Sequence, residues 1–112
     1  MKHFTIDRKT WHRGKGAWGS CLLRFDGWMC CLGHIAQQAG VPKENMQEAC
    51  APWNLGTGGP QWESGTGVPY QGVRAVGEMI TVNDSKDIAD TERESQLIAL
   101  GKTLGWKLEF VN

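Results

Sequence analysis

Several groups of residues in this 112-residue chain have types and spacings that could do chemistry. The first is Cys30-Cys31-Leu32-Gly33-His34. A thiol at a strand-to-helix junction feels the positive end of the helix, which favours thiolate, and His34 one turn on could act as its base. This is the arrangement of a small Cys/His-dependent enzyme, with Cys31 as nucleophile. No nearby carboxylate or amide is placed to orient His34. Free cysteine is also among the most buried residue types, so packed core thiols are the competing reading. Cys21, Cys31, His34 and Cys50 are potential zinc donors, but zinc sites usually draw on C-x2–4-C pairs. Adjacent Cys30 and Cys31 point to opposite sides of a strand. No metal and no cofactor are expected.

The second group is Trp11-His12-Arg13-Gly14-Lys15-Gly16-Ala17-Trp18-Gly19. Glycines let a ligand approach the backbone, Arg13 and Lys15 can contact phosphate, and a flanking Trp18 can stack on a base. The GxxxxGK[ST] spacing of a Walker A loop is absent. An exposed cationic loop with buried tryptophans is the plainer alternative. The charge distribution agrees with an anion-facing end: residues 1–24 carry a net +5 and the remainder −5 within a chain of zero formal charge. Mutual neutralisation within the fold would explain the same numbers.

Residues 54–72 hold six glycines and two prolines in nineteen positions. Long connections without structure are uncommon in compact domains and are often functional. This one carries Trp62 and Tyr70 and follows Trp53, so it reads as an Ω-type loop that binds through its aromatic rings. Trp62, mid-loop beside Gln61 and Glu63, is expected to meet a partner, and Trp53 to anchor the base. A fourth group, Asp84, Asp87, Asp90, Glu92 and Glu94, does not match an EF-hand and is read as acidic residues at a helix start.

These groups must be positioned by local elements. Phe4 to Asp7 alternates and predicts a strand. Asp26-Gly27 between apolar runs predicts a type I′ turn closing a hairpin over 20–32. Its core face would be Cys21, Leu23, Phe25, Trp28, Cys30 and Leu32, the directly opposed residues. Leu32, Ile35, Ala36 and Ala39 predict a short helix stopped by Gly40. Pro42 opens another helical turn over 43–50. Met79-Ile80-Thr81-Val82 reads as a strand. Thr91 and Glu94 match a capping box for a helix ending at Gly105, and Trp106, Leu108 and Phe110 alternate as a terminal strand. The sum is a single α+β domain, 1–112. It has a small, mostly antiparallel sheet of about four to five strands, two helices on one face, and the long Gly-rich loop 54–72. With no apolar run near 18 residues and no signal-peptide core at the N-terminus, a cytoplasmic protein without a membrane partner is expected.

TIDRKTWHRG (5–14), LLRFDGWMCCLG (22–33), Asn83-Asp84, Glu92-Arg93-Glu94 and GWKLEFV (105–111) together resemble a set of small, largely uncharacterised proteins carried by tailed bacteriophages. The resemblance touches both ends and the middle and leaves the Gly-rich segment outside. MCCLG (29–33) is its most specific piece. An aromatic often follows that glycine in the group, and His34 stands there instead, which weakens a catalytic role for His34. The resemblance implies a phage accessory protein, working in the cytoplasm of an infected bacterium, and carries no activity over. Proteins of that kind often bind and block a host factor, including defence systems. The expected function is therefore a non-enzymatic, anti-CRISPR-like inhibitor of a host protein. It would act through Arg13, Lys15, Trp18, Trp53, Trp62 and Tyr70, and a homodimer is compatible with it. The alternatives are sequestration of an anionic nucleotide by the basic loop, and the small Cys31/His34 enzyme.

Overall fold

The two ends of the chain pair with each other. The computed structural model describes residues 1–16, 21–47 and 49–112. In it β1 (Lys2–Asp7) lies parallel to β2 (Trp106–Val111), with Phe4 opposite Leu108 and Ile6 opposite Phe110. Parallel strands need a long crossover, and here the intervening chain supplies it. It contains α1 (Cys31–Ala39), α2 (Lys43–Met46), 3-10 turns at Pro52–Asn54 and Gly56–Gly58, α3 (Gly59–Thr66), α4 (Arg74–Asp84) and α5 (Asp90–Thr103).

The period-two strands form where their alternation demands it. Phe4, Ile6, Trp106 and Leu108 are buried, and Lys107 and Glu109 are exposed. Helix α1 buries Leu32, Ile35 and Ala36 and ends at Gly40, as its spacing predicts. Helix α5 begins at Asp90, one residue ahead of the expected capping box, with no side-chain cap from Ala89. It buries every fourth residue, Arg93, Leu97 and Gly101.

The expected sheet of four to five mostly antiparallel strands is not formed. Among the described residues the sheet has two strands, paired in parallel, and there are five α-helices instead of two. Two segments account for the difference. Met79 to Val82 lies inside α4, where Val76, Met79 and Asn83 form the buried stripe at helical spacing. A short run of Met, Ile, Thr and Val fits helix or strand alike, and tertiary context decided for helix.

The expected hairpin over 20–32 is also absent. A turn forms there, but it is not the expected type I′ turn. Gly27 takes φ +89° and Asp26 does not take a positive φ. The turn spans Arg24 to Gly27, with Gly27 N–H donating to Arg24 O at 3.0 Å and Arg24 N–H to Trp28 O at 2.8 Å. One bond joins the flanks, Cys30 N–H to Cys21 O at 3.1 Å, but the rest of the flanking backbone pairs elsewhere. Met29 N–H donates to Thr10 O, Met29 O accepts from His12 N–H, and Leu22 N–H donates to Ala49 O. The buried residues therefore do not follow one alternating face: Cys30 and Leu32 of the expected core face are buried, but so are residues of the opposite face. Leu22, Met29 and Cys31 are buried, whereas Phe25 is 95% exposed and Trp28 40%.

The Gly-rich segment 54–72 is not an open loop, for it contains α3. Trp62 on α3 is fully buried and stacks edge-to-face on Trp106, ring centroids 5.9 Å apart. Trp106 meets Phe4 likewise at 5.6 Å and donates from Nε1 to Thr66 O at 2.8 Å. A β-carbon at Gly65 would collide with Ala39 O, so glycine there lets α3 close against α1. The glycines that look like loop composition thus serve helix packing.

Candidate functional site

The best-formed polar site is built around the end of α4. Asn83, 1% exposed, has its side chain saturated. Its Oδ1 accepts from Trp11 Nε1 at 2.8 Å and from the Cys31 N–H at 3.0 Å, and its Nδ2 donates to His12 O at 3.0 Å and Asp84 Oδ1 at 3.1 Å. One amide therefore ties α4 to the start of α1 and to the loop at 11–14. The Asn83 carbonyl accepts the Gly14 N–H at 2.8 Å. Gly14 takes φ +68°, a conformation that disfavours other residues, and a β-carbon there would stand 3.1 Å from Arg93 Nη2.

Arg93 lies beneath, 2% exposed. Its Nη1 donates to Val82 O (2.7 Å), Asn83 O (3.2 Å) and Ser85 O (2.8 Å), and its Nη2 to Ile88 O (3.1 Å). A cation on the last carbonyls of a helix satisfies orphan acceptors and faces the negative end of the dipole. Its Nε donates to Asp90 Oδ1 at 3.3 Å, while Arg13 Nε pairs with Asp90 Oδ2 at 3.2 Å. Burial by itself would raise the Asp90 carboxyl. The hydrogen bonds and charges of Arg13 and Arg93 outweigh that and hold it below the ordinary carboxylate value. The Arg13 guanidinium also lies 4.5 Å from the centroid of the Trp11 ring.

Above this frame opens a pocket of about 330 Å³, lined by Trp11, His12, Arg13, Gly14, Lys15, Trp28, Asp90 and Arg93. Three cations face one carboxylate. Lys15 is exposed, and Trp28 offers a half-exposed indole. Arg24 Nη1 lies 2.7 Å from His12 Nε2, and since a guanidinium can only donate, that imidazole nitrogen accepts. Chemically the pocket suits a small anion or an anionic group attached to a flat apolar body.

The pocket takes Trp11, His12, Arg13, Gly14 and Lys15 from the basic segment and adds Trp28, Asp90 and Arg93, which sequence reasoning did not place there. The available signal was the Asp26-Gly27 turn, whose tip carries Phe25 and Trp28. Trp18 lies outside the described residues. Trp53 is 45% exposed, and Tyr70 packs its ring against Gly59; neither lines this pocket. The burial expected of the two tryptophans is reversed. Trp62, expected to meet a partner, is in the core, and Trp53, expected to anchor, faces solvent.

Of the two readings of the thiols, the structure places Cys30 and Cys31 in the core. Cys31 is the first residue of α1 but is fully buried, and that burial raises its pKa well above the ordinary thiol value. Burial pushes Cys30 up to about 12. Loss of hydration outweighs the helix end, so neither thiol is a thiolate at neutral pH. Burial lowers His34, against the opposing Asp7 charge and a hydrogen bond to Thr10 backbone, and its buried Nε2 has no hydrogen-bond partner. Among the described residues no group of three His, Cys, Asp or Glu side chains converges to hold a metal ion, and no helix is long and apolar enough to cross a membrane. No protein-family model, curated protein or solved structure matches the chain.

Proposed function

We propose that this chain is a binding protein without catalytic chemistry of its own, and that it engages and blocks a bacterial host component. This is the anti-defence role of the phage accessory proteins its motifs resemble, exercised in the cytoplasm of the infected cell. The observation that carries the reading is the cationic pocket with Lys15 and Trp28 at its mouth. Its floor is fixed by Asn83 and Arg93, so binding there pays little ordering entropy. The buried, protonated thiols give the Cys31/His34 enzyme no support.

The test is capture from bacterial lysate by the intact chain and by the Arg13→Ala, Lys15→Ala double variant, at low and high salt. A specific partner should be held by the intact chain, lost from the variant and weakened by salt, because exposed charges are screened beyond about 8–10 Å. Equal capture by the folded variant would place recognition elsewhere.

The pocket volume favours a second reading. About 330 Å³ lies at the small end of the range for small-molecule sites. A phosphate beside Lys15 and a base on Trp28 would make the protein a sink for a nucleotide signal. Calorimetric titration with nucleoside monophosphates and cyclic dinucleotides tests it; heat that disappears in the double variant supports it.

A further inference from the structure

Two thiols from distant parts of the chain are brought side by side by backbone, outside both the core and the cationic pocket. Cys21 is half-buried and Cys50 is exposed. The segment that follows Cys21 meets the segment that precedes Cys50. Leu22 N–H donates to Ala49 O at 2.8 Å, and Leu23 forms a β-bridge with Gln47.

That one hydrogen bond limits how far apart the two cysteines can stand. In a trans peptide the Cα of Cys21 lies on the same side as the Leu22 N–H, about 2.4 Å from the nitrogen. The Cα of Cys50 lies on the same side as the Ala49 carbonyl, about 2.8 Å from its oxygen. Joining these two peptide planes through a short, near-linear bond leaves the Cα atoms no more than about 6.5 Å apart, whatever the rotation about it. A disulfide spans about 4.4–6.8 Å between Cα atoms. Cys30 also approaches, donating its N–H to Cys21 O at 3.1 Å. It is 2% exposed, and burial pushes its thiol up to about 12, so Cys30 neither meets an oxidant nor ionises at neutral pH.

We propose that Cys21 and Cys50 form a reversible oxidation site, joined by peroxide into a disulfide that clamps the segment leading to Trp28 onto the segment after α2. The Cys50 thiolate takes one oxygen from hydrogen peroxide and becomes a sulfenic acid, and the departing hydroxide leaves as water with the thiol proton. The Cys21 sulfur then attacks the Cys50 sulfur, the S–O bond breaks, and the hydroxyl leaves with the Cys21 proton as a second water. Two thiols are oxidised and one peroxide is reduced. Thiol–disulfide exchange with a dithiol reductant reverses the step. Exposed disulfides are the labile kind, and in reducing compartments such bonds are usually redox-sensing. The site does not depend on the function proposed above, and its test uses no partner.

In the experiment the folded, reduced chain is treated with a small excess of hydrogen peroxide. Remaining thiols are alkylated in denaturant, and the protein is digested without reductant and read by mass spectrometry. Trypsin separates the candidates, because Arg24 lies between Cys21 and Cys30 and Lys43 between Cys31 and Cys50. A peptide pair joined through Cys21 and Cys50 is expected, split by dithiothreitol, with Cys30 and Cys31 alkylated. Cys21→Ser and Cys50→Ser should each abolish it. Oxidation should also raise the melting temperature of the intact chain by at least about 5 °C, since it closes a loop of about thirty residues. Four thiols that all remain alkylatable, Cys50 ending as sulfinic acid or bonded to a second chain, or Cys21 joined to Cys30 would each overturn the proposal. So would a melting temperature that falls on oxidation, because the native backbone would then not hold the two sulfurs within reach.

Discussion

Replacing Arg93 with Met tests the frame under the pocket. The substitution keeps the aliphatic stem and removes a guanidinium that donates to four backbone carbonyls and to Asp90. Each buried acceptor left without a donor costs about 1–3 kcal/mol, although the last turn of α4 can relax and some carbonyls can reach water. Asp90 is half exposed, so loss of its ion pair adds little, and we take about 3–5 kcal/mol for the net loss from the stranded carbonyls. Against a total stability of about 5–15 kcal/mol, the variant should still fold. At roughly 4–5 °C per kcal/mol for a domain near this size, its melting temperature should fall by about 12–25 °C. Arg93→Lys keeps a cation but lacks the planar fork, and should lose about half as much. Denaturant titration measures both losses. Hydrogen exchange at the Gly14 amide, which donates to the Asn83 carbonyl, reports whether loop 11–14 loosens with the cap. A loss below about 1 kcal/mol for Arg93→Met, with Gly14 still protected, would refute the assignment of Arg93 as the keystone of this site.

Three further outcomes are expected. Trp62→Ala should cost about 3–5 kcal/mol in denaturant unfolding, as truncating a buried aromatic does, and a neutral result would remove α3 from the core. Burial depresses the His34 pKa below its unfolded value of 6.5, so its contribution is fully present above that pH and declines as pH falls toward the folded value. Unfolding midpoints between pH 7.5 and 5 should therefore decline in the intact chain and decline less in His34→Gln; identical slopes would show that His34 is not held neutral. Timed iodoacetamide labelling at neutral pH, read by mass spectrometry of peptides, should modify exposed Cys50 first and leave Cys30 and Cys31 untouched until denaturant is added. Rapid native labelling of Cys31 would revive the nucleophile.

Much of the candidate site was legible as composition and little of it as geometry. Arg13 and Lys15 stand out because cations, glycines and tryptophans crowd one short segment. Asp90 and Arg93 were hidden among the residues of a helix start, where acids and bases have an ordinary local explanation. The Asp90–Arg13 pair spans more than seventy residues, and no local pattern carries it. Trp62 misled for the opposite reason. Its neighbours Gln61, Glu63 and Ser64 are polar, and its burial depends on Trp106, which arrives from the far end of the chain.

The sequence by itself determined the elements whose hydrophobic period is local: β1, α1, α5 and β2, with Gly40 and Gly105 marking where the two helices stop. It also determined that a cationic, tryptophan-bearing loop exists. Tertiary structure decided which strands pair, that Met79 to Val82 is helix, which of residues 21–30 turn inward, and that Cys31 is buried. The physical reason is that these depend on competition for distant partners. The Asn83 side chain captures the Cys31 and Trp11 N–H groups, while Thr10 and His12 capture the backbone of Met29. Burial of Cys31 then opposes ionisation more strongly than the helix end favours it.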